Sequence, residues 1–269
     1  MSFLLLFGAA FLGGAMNSVA GGGSFITLPA LLYAGVSPVS ANATSTFAMW
    51  PASLSSAVAY RREISQARAW TVRLGFISLV GGLLGGLLLV RTSDESFVRL
   101  LPWLLLLATL TFTFGGQLAA WTRRRSAART GQLAADAERA DANADQPAQG
   151  AARPPLWMLP MQLAIATYGG YFGGGMGIMM MAGMAIAGMT DIHEMNGLKT
   201  VLAIAINGVA LATFIATGSI AWAPGLVMVA GGVTGGYLGA STARKVSAAQ
   251  VRWLVIAIAW GMTVYFFVR

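Results

Sequence analysis

Charged residues are confined to a few short stretches of this chain. No Asp, Glu, Lys or Arg occurs from Met1 to Tyr60, from Leu100 to Thr122, from Pro154 to Thr190, from Thr200 to Ala243, or from Trp253 to Val268. Inside these gaps the apolar residues run continuously, without the in/out alternation of β-barrel strands. A helix needs about 20 mostly apolar residues to cross the hydrocarbon core, and a charge near the bilayer centre is costly. The pattern predicts an all-α integral membrane protein, a polytopic helical bundle. The continuous helical candidates are 44–60, 71–90, 99–121, 198–216, 222–240 and 250–268. Two further apolar regions, 3–35 and 156–189, contain glycine triplets. Each is too long for one span and too short for two. Each therefore predicts a pair of broken or re-entrant helices meeting at the glycines.

The stretch Arg123–Pro155, "RRRSAARTGQLAADAERADANADQPAQGAARPP", is Ala-rich, charged and closed by prolines. It reads as a linker outside the membrane, with a helical portion near 127–141. The expected organisation is a first transmembrane repeat at 1–122, a cytoplasmic linker at 123–155 and a second transmembrane repeat at 156–269. Four landmarks recur in the same order across the linker. Gly21–Gly23 matches Gly173–Gly175, Asn42 matches Asn196, "GGLLGG" at 81–86 matches "GGVTGG" at 231–236, and "FVRLL" at 97–101 matches "QVRWLV" at 250–255. The offsets are 152, 154, 150 and 153 residues. Such near-constant spacing marks an internal duplication.

Charge placement then orients the halves. The loop at 61–73 carries Arg61, Arg62, Arg68 and Arg73 against Glu63, while its counterpart at 217–221 has no charge. The loop at 91–99 is balanced, while its counterpart at 241–252 carries Arg244, Lys245 and Arg252 and no acid. Basic loops favour the cytoplasmic side. An inverted duplication puts 61–73, 123–155 and 241–252 all in the cytoplasm and both termini outside it. A parallel repeat would leave a basic loop outside.

Composition narrows the function classes. The chain is 57% hydrophobic and 10% charged, against roughly 25% charged in soluble domains. The net charge of +8 comes from clusters between apolar runs, not from a basic stripe, so a nucleic-acid partner is not expected. The lipid bilayer is the expected partner, and the oligomeric state is left open. With no cysteine, disulfides, thiol chemistry and cysteine-bound metal are excluded. The apolar N-terminus lacks a basic leader and is read as part of the mature protein.

Few polar residues remain to carry chemistry. "NSVAGGGSFITLP" places Asn17, Ser18, Ser24 and Thr27 beside Gly21, Gly22 and Gly23. "YGGYFGGGMGIMM" places Gly173, Gly174 and Gly175 in the equivalent position. Such glycines can serve close helix packing. They also break helices, and the backbone N–H groups this frees suit an anion. Asn42 and Thr44 open one helix, and Asn196, Lys199 and Thr200 open its counterpart. Helix capping explains part of this. Lys199 directly precedes the charge-free run from Thr200, where it either snorkels to the interface or faces a polar cavity as an anion ligand. Asn207 lies further along the same segment, where it lines a path or bridges helices. His193, the only histidine, reads as part of a solvated loop. The methionines at 176, 179–181 and 184 read as a flexible packing surface. No metal site and no cofactor is expected.

Taken together, "GGAMNSVAGGGSFITLPALLYAGVSPVSANATST" and "GGYFGGGMGIMMMAGMAIAGMTDIHEMNGLKT" resemble the paired signatures of the TauE/SafE sulfite-exporter family of membrane permeases. The resemblance covers nearly the whole chain apart from the linker. It implies a bacterial inner-membrane transporter for sulfite, a sulfonate or a related small organic anion. The repeat, the broken helices and Lys199 point to an anion carrier working by alternating access. The alternatives are a non-transport membrane protein, such as an enzyme, whose convergent catalytic set the apolar runs do not supply, and a cation or metal transporter, whose acidic residues are absent from those runs apart from the Asp191–Glu194 region. The resemblance implies functional regions at Asn17 and Gly21–Gly23, at Gly173–Gly175, at Asn42–Thr46 and at Asn196–Thr200. The second triplet lacks the Asn–Ser lead-in and the Ser–Phe that follows the first, so two equal half-sites are not implied.

Overall fold

The computed structural model describes residues 3–19, 22–59, 68–115, 154–189, 191–242 and 248–268. Among the described residues every regular element is a helix. These are α1 (Phe3–Val19), α2 (Ser24–Tyr33), α3 (Pro38–Ala59), α4 (Arg68–Arg91), α5 (Asp94–Gly115), α6 (Met158–Tyr171), α7 (Met176–Ile186), α8 (Ile192–Ala216), α9 (Trp222–Thr242) and α10 (Ala248–Val268). The six continuous candidates correspond to α3, α4, α5, α8, α9 and α10. The region 3–35 divides into α1 and α2, and 156–189 into α6 and α7. The linker expected at 123–155, with its helical portion, lies outside the described residues up to residue 153.

Of the six continuous candidates, all but α9 begin earlier than the apolar pattern alone predicts. Pro38 opens α3, a position where its missing N–H costs nothing and its fixed φ already suits a helix. Asp191 caps α8, its Oδ1 accepting from the N–H of His193 at 2.7 Å and of Glu194 at 3.3 Å. His193 therefore stands, exposed, in the first turn of α8, where a loop was expected. The cap makes the difference.

Three helices among the described residues are long and apolar enough to cross a membrane: α4, α5 and residues His193–Ala216 of α8. α4 shows what kind of solvent surrounds it. Its buried face is Trp70, Leu74, Ser78, Gly81, Gly82, Gly85, Gly86 and Leu89. Its exposed face includes Val72, Phe76, Leu79, Leu83, Leu84 and Leu88. Along the middle of the helix, from Ser78 to Gly86, small residues point in and large apolar ones point out. In water this arrangement would waste the leucines. In lipid, which is as apolar as leucine, it is the expected one, because helices associate there by close packing.

That packing decides the architecture. "GGLLGG" on α4 lies against α6, and "GGVTGG" on α9 lies against α1. A Cβ on Gly81 would meet Ala166 and the Leu163 carbonyl, and one on Gly85 would meet the Thr167 carbonyl. Likewise a Cβ on Gly231 would meet the Phe7 carbonyl, and one on Gly235 the Phe11 carbonyl. In both interfaces a step of four residues along one helix is matched by a step of four in the same sense along the other. α4 therefore runs parallel to α6, and α9 parallel to α1. α4 also packs on α8, and α9 on α3.

α3 and α8 cross where Trp50 Nε1 donates to the Ile204 carbonyl at 3.2 Å. α5 and α10 meet where Thr109 Oγ1 and Thr263 Oγ1 share a hydrogen bond of 2.9 Å. Both pairs are 154 residues apart, the spacing that separates Asn42 from Asn196.

α1 with α2, and α6 with α7, fold back as hairpins. Gln162 Nε2 on α6 reaches Ser78 Oγ at 2.8 Å and Met180 Sδ on α7 at 3.5 Å. Met176, Met180, Met184 and Met195 are buried in one core with Leu198, Leu202 and Trp70, so the methionine run packs as expected.

Enlarging the packed glycines should be costly where backbone is opposite and harmless where nothing is. Gly85→Leu and Gly235→Leu are each expected to destabilise the protein by at least about 1–3 kcal/mol, the usual range for overpacking. Gly75→Leu and Gly261→Leu, with nothing within 4 Å of a Cβ, should be near neutral. Thermal unfolding in detergent measures the contrast.

Candidate functional site

Both hairpin tips border one cavity of about 370 Å³. α1 and the tip that follows contribute Asn17, Gly22 and Ser24. The second tip contributes Gly173, Gly174 and Gly175, continuing into Met176, Gly177, Ile178 and Met181 of α7. α8 contributes Asn196, Lys199, Thr200, Ala203 and Asn207, α3 contributes Thr46, Met49 and Ser53, and α5 contributes Phe112. Two segments more than 150 residues apart in sequence are thus brought to one space.

Glycine is required at these tips for two reasons. Gly22, Gly173 and Gly175 have φ of 91°, 85° and 80°, a region that other residues adopt only under strain. Gly22 is also tightly enclosed, since a Cβ there would stand 3.0 Å from Phe112 Cζ and 3.1 Å from Val255 Cγ1. At Gly175 the nearest atom to a Cβ would be Ala108 Cα at 3.1 Å.

The second tip leaves donors at the start of a helix. The first α7 amides with backbone partners are Ile178 and Met179, which bond the Gly175 carbonyl at 3.1 and 3.3 Å. The N–H groups of Gly174, Gly175, Met176 and Gly177 have no acceptor among the described residues. All four residues line the cavity. A helix N-terminus of this kind carries partial positive charge and suits an anion. Tyr168 steadies it from behind, its hydroxyl donating to the Gly174 carbonyl at 2.7 Å.

Lys199 adds a basic side chain. Its Nζ donates to Asn196 Oδ1, one turn earlier, at 3.1 Å. Its stem runs beside α7, where a Cβ on Gly177 would come within 3.2 Å of Lys199 Cδ. Among the described residues it forms no ion pair with a carboxylate, and no carboxylate lines the cavity.

The remaining predicted residues stand elsewhere. Asn42 Nδ2 donates to the Tyr171 carbonyl at 2.8 Å. Thr44 Oγ1 accepts from the Ala221 N–H at 3.0 Å. Both side chains are buried in contacts between distant helices, away from the cavity lining. Gly23 is buried against the Gly13 carbonyl. Gly21 lies outside the described residues. Met49, Ser53, Phe112 and Ala203 were not anticipated. The signal for most of them is helical spacing. Thr46, Met49 and Ser53 share one face of α3, and Asn196, Lys199, Thr200, Ala203 and Asn207 share one face of α8. Among the described residues no group of three or more His, Cys, Asp or Glu side chains is placed to hold a metal ion.

A family model described as sulfite exporter TauE/SafE matches residues 6–266 of the chain. A probable membrane transporter protein of Haemophilus influenzae is 27% identical over 262 residues, covering 96% of this chain and 92% of that one. The probable membrane transporter protein ORF9 of a Sinorhizobium species is 25% identical, covering 96% and 90%. The probable membrane transporter protein YfcA of Escherichia coli K12 is 24% identical, covering 94% and 85%. No solved structure matches the chain.

The two positive-φ tips should differ in tolerance. Gly173→Ala meets only the Gly169 carbonyl, at an ordinary 3.5 Å, and should lose about 1–2 kcal/mol from its dihedral alone. Gly22→Ala carries the same strain and also presses on Phe112 and Val255, so its loss should be larger. Thermal unfolding of the two purified variants tests the order.

Proposed function

Since the chain belongs to the sulfite exporter TauE/SafE family and is a multi-pass membrane transporter, we propose that it carries a small anion through the cavity between the hairpin tips. The anion is sulfite, a sulfonate or a related organic anion. The observation that carries this reading is the cavity's charge. Lys199 and the N-terminus of α7 bring positive charge, Asn17, Ser24, Thr46, Asn196 and Thr200 bring hydrogen-bonding groups, and among the described residues no carboxylate lines the cavity to oppose them. A cation or metal carrier would call for acidic side chains at this place.

Transport follows from the balance of these terms. A small oxyanion loses much of its hydration on entering, at considerable cost. Backbone N–H groups and Lys199 offset that cost only in part. Binding is therefore moderate, as a carrier that must release its cargo requires. Sulfite and the sulfonates share a compact oxyanion head, which is the part such donors recognise.

The frame for alternating access is an inverted repeat, 1–122 and 156–269, with broken helices at the glycine triplets and the linker 123–155 in the cytoplasm of a bacterial inner membrane. The directions of the glycine-packed helices support it. Within the first half, α1 and α4 point opposite ways if the α1–α2 hairpin returns to its own side. A parallel duplication would then set α9 against α1, whereas the two run in the same direction. The hydrogen bonds between residues 154 apart, Trp50 to Ile204 and Thr109 to Thr263, suit a two-fold axis passing between them.

Lys199→Ala should weaken anion binding roughly 10- to 100-fold, the usual worth of a hydrogen bond to a charged group, while Lys199→Arg retains part of it. The measurement is stabilisation of purified protein against heat by sulfite and sulfoacetate, paired with flux into proteoliposomes. Unchanged stabilisation in a folded Lys199→Ala protein would move the anion site elsewhere.

A further inference from the structure

The tip between α6 and α7 has two faces. One, Gly173–Gly175, lines the cavity. The other is held by Tyr171, the last residue of α6. Its carbonyl accepts from Asn42 Nδ2 at 2.8 Å. Its hydroxyl donates to Thr92 Oγ1 at 3.3 Å. Thr92 is available as an acceptor because its own proton goes to the Leu88 carbonyl, at 2.7 Å. The Tyr171 ring lies 6.0 Å from that of Phe97, which is fully buried. Nearby, the Val39 N–H donates to Asp94 Oδ1 at 2.8 Å, tying the start of α3 to the start of α5. One residue thus joins the tip to the start of α3, the end of α4 and the start of α5.

We propose that this tip is a gate, closing the cavity on the side of the α4–α5 turn, and that Tyr171 with Asn42 and Thr92 is its latch. The proposal rests on the cavity being the transport site. The position of the lining supports it. On α3 the cavity begins at Thr46, one turn beyond Asn42, and continues to Ser53 toward the helix C-terminus. The N-terminal turns of α3 are closed off by buried bonds, Asn42 to Tyr171 and Thr44 to Ala221. The tip also has joints. Gly173 and Gly175 both hold positive φ, and around Gly173 a Cβ would find only one atom within 4 Å. Two glycine joints on either side of one residue let a short segment swing while the helices beside it stay packed.

The latch explains why Asn42 is buried in a polar contact away from the anion cavity. A hydrogen bond from a side-chain amide to a helix-end carbonyl is modest in net strength. A contact that must break in every transport cycle needs that modest strength.

The test uses the absence of native cysteine. Thr46→Cys reports access to the cavity next to the latch, and Ser53→Cys reports access further along α3. Each is placed in the full chain in oriented proteoliposomes and treated with a membrane-impermeant maleimide from one side at a time. Thr46→Cys is expected to react from the side of the α3 C-terminus and only weakly from the side of the α4–α5 turn. Adding Asn42→Ala, or the milder Tyr171→Phe, should raise the weak rate several-fold, up to about tenfold for loss of one such bond, and leave Ser53→Cys unchanged from its own side. Equal reactivity of Thr46→Cys from both sides in the parent, or no rise in either latch variant, would overturn the gate. Protection of Thr46→Cys by sulfoacetate reports separately on the anion site. A latch effect without protection would keep the gate and move the site.

Discussion

Everything in this molecule depends on helices touching backbone to backbone. Lipid gives two apolar helices no reason to prefer each other over their solvent, so association must come from contacts that lipid chains cannot reproduce. The paired glycines of α4 and α9 supply such contacts by letting carbonyls of α6 and α1 approach where a side chain would stand. These interfaces hold α1 and α6, each the first arm of a hairpin, against a partner helix from the opposite half. With those arms fixed, the two tips stand at one cavity.

The cavity adds the electrostatic consequence. A Lys199 without a carboxylate partner among the described residues, beside a helix start with unpaired N–H groups, is an incomplete arrangement in an apolar setting. Such a site is costly to keep empty and costly to desolvate an anion into, and the two costs act in opposite directions on occupancy. For the proposed anion, these opposing costs would hold binding to moderate strength. The polar contacts of Asn42, Tyr171 and Thr92 lie outside the cavity lining, so breaking them would leave the Lys199 environment intact.

The bundle itself was legible in the sequence because its cause is local. Exclusion of charge over long runs reports the solvent around a helix directly, and glycine triplets report where a helix stops. The ends of helices were less legible. α8 begins well before residue 198 because Asp191 caps it, and a cap outweighs the polar composition of the first turn. The two tips were legible as candidate site elements, and Asn17, Gly22, Ser24, Gly173–Gly175, Asn196 and Lys199 do stand together. Asn42 and Thr44 read as equal members of that set, yet their partners are Tyr171 and Ala221, 129 and 177 residues away. No local pattern announces a partner so distant. The same limit applied to "GGLLGG" and "GGVTGG", which were visible as repeat marks while the surfaces they pack against were not.

The threonine pair at 109 and 263 carries a different kind of information. The Thr263 hydroxyl gives its proton to the Ala259 carbonyl of its own helix at 2.8 Å, so in this pair Thr109 gives and Thr263 receives. Lysine at both places would repel, and leucine would offer no polar bond. A hydroxyl gives and receives at once, so two threonines join two helices while every proton involved stays engaged within the pair of helices. The contact between α5 and α10 therefore gains a polar bond and asks neither water nor a charge to complete it.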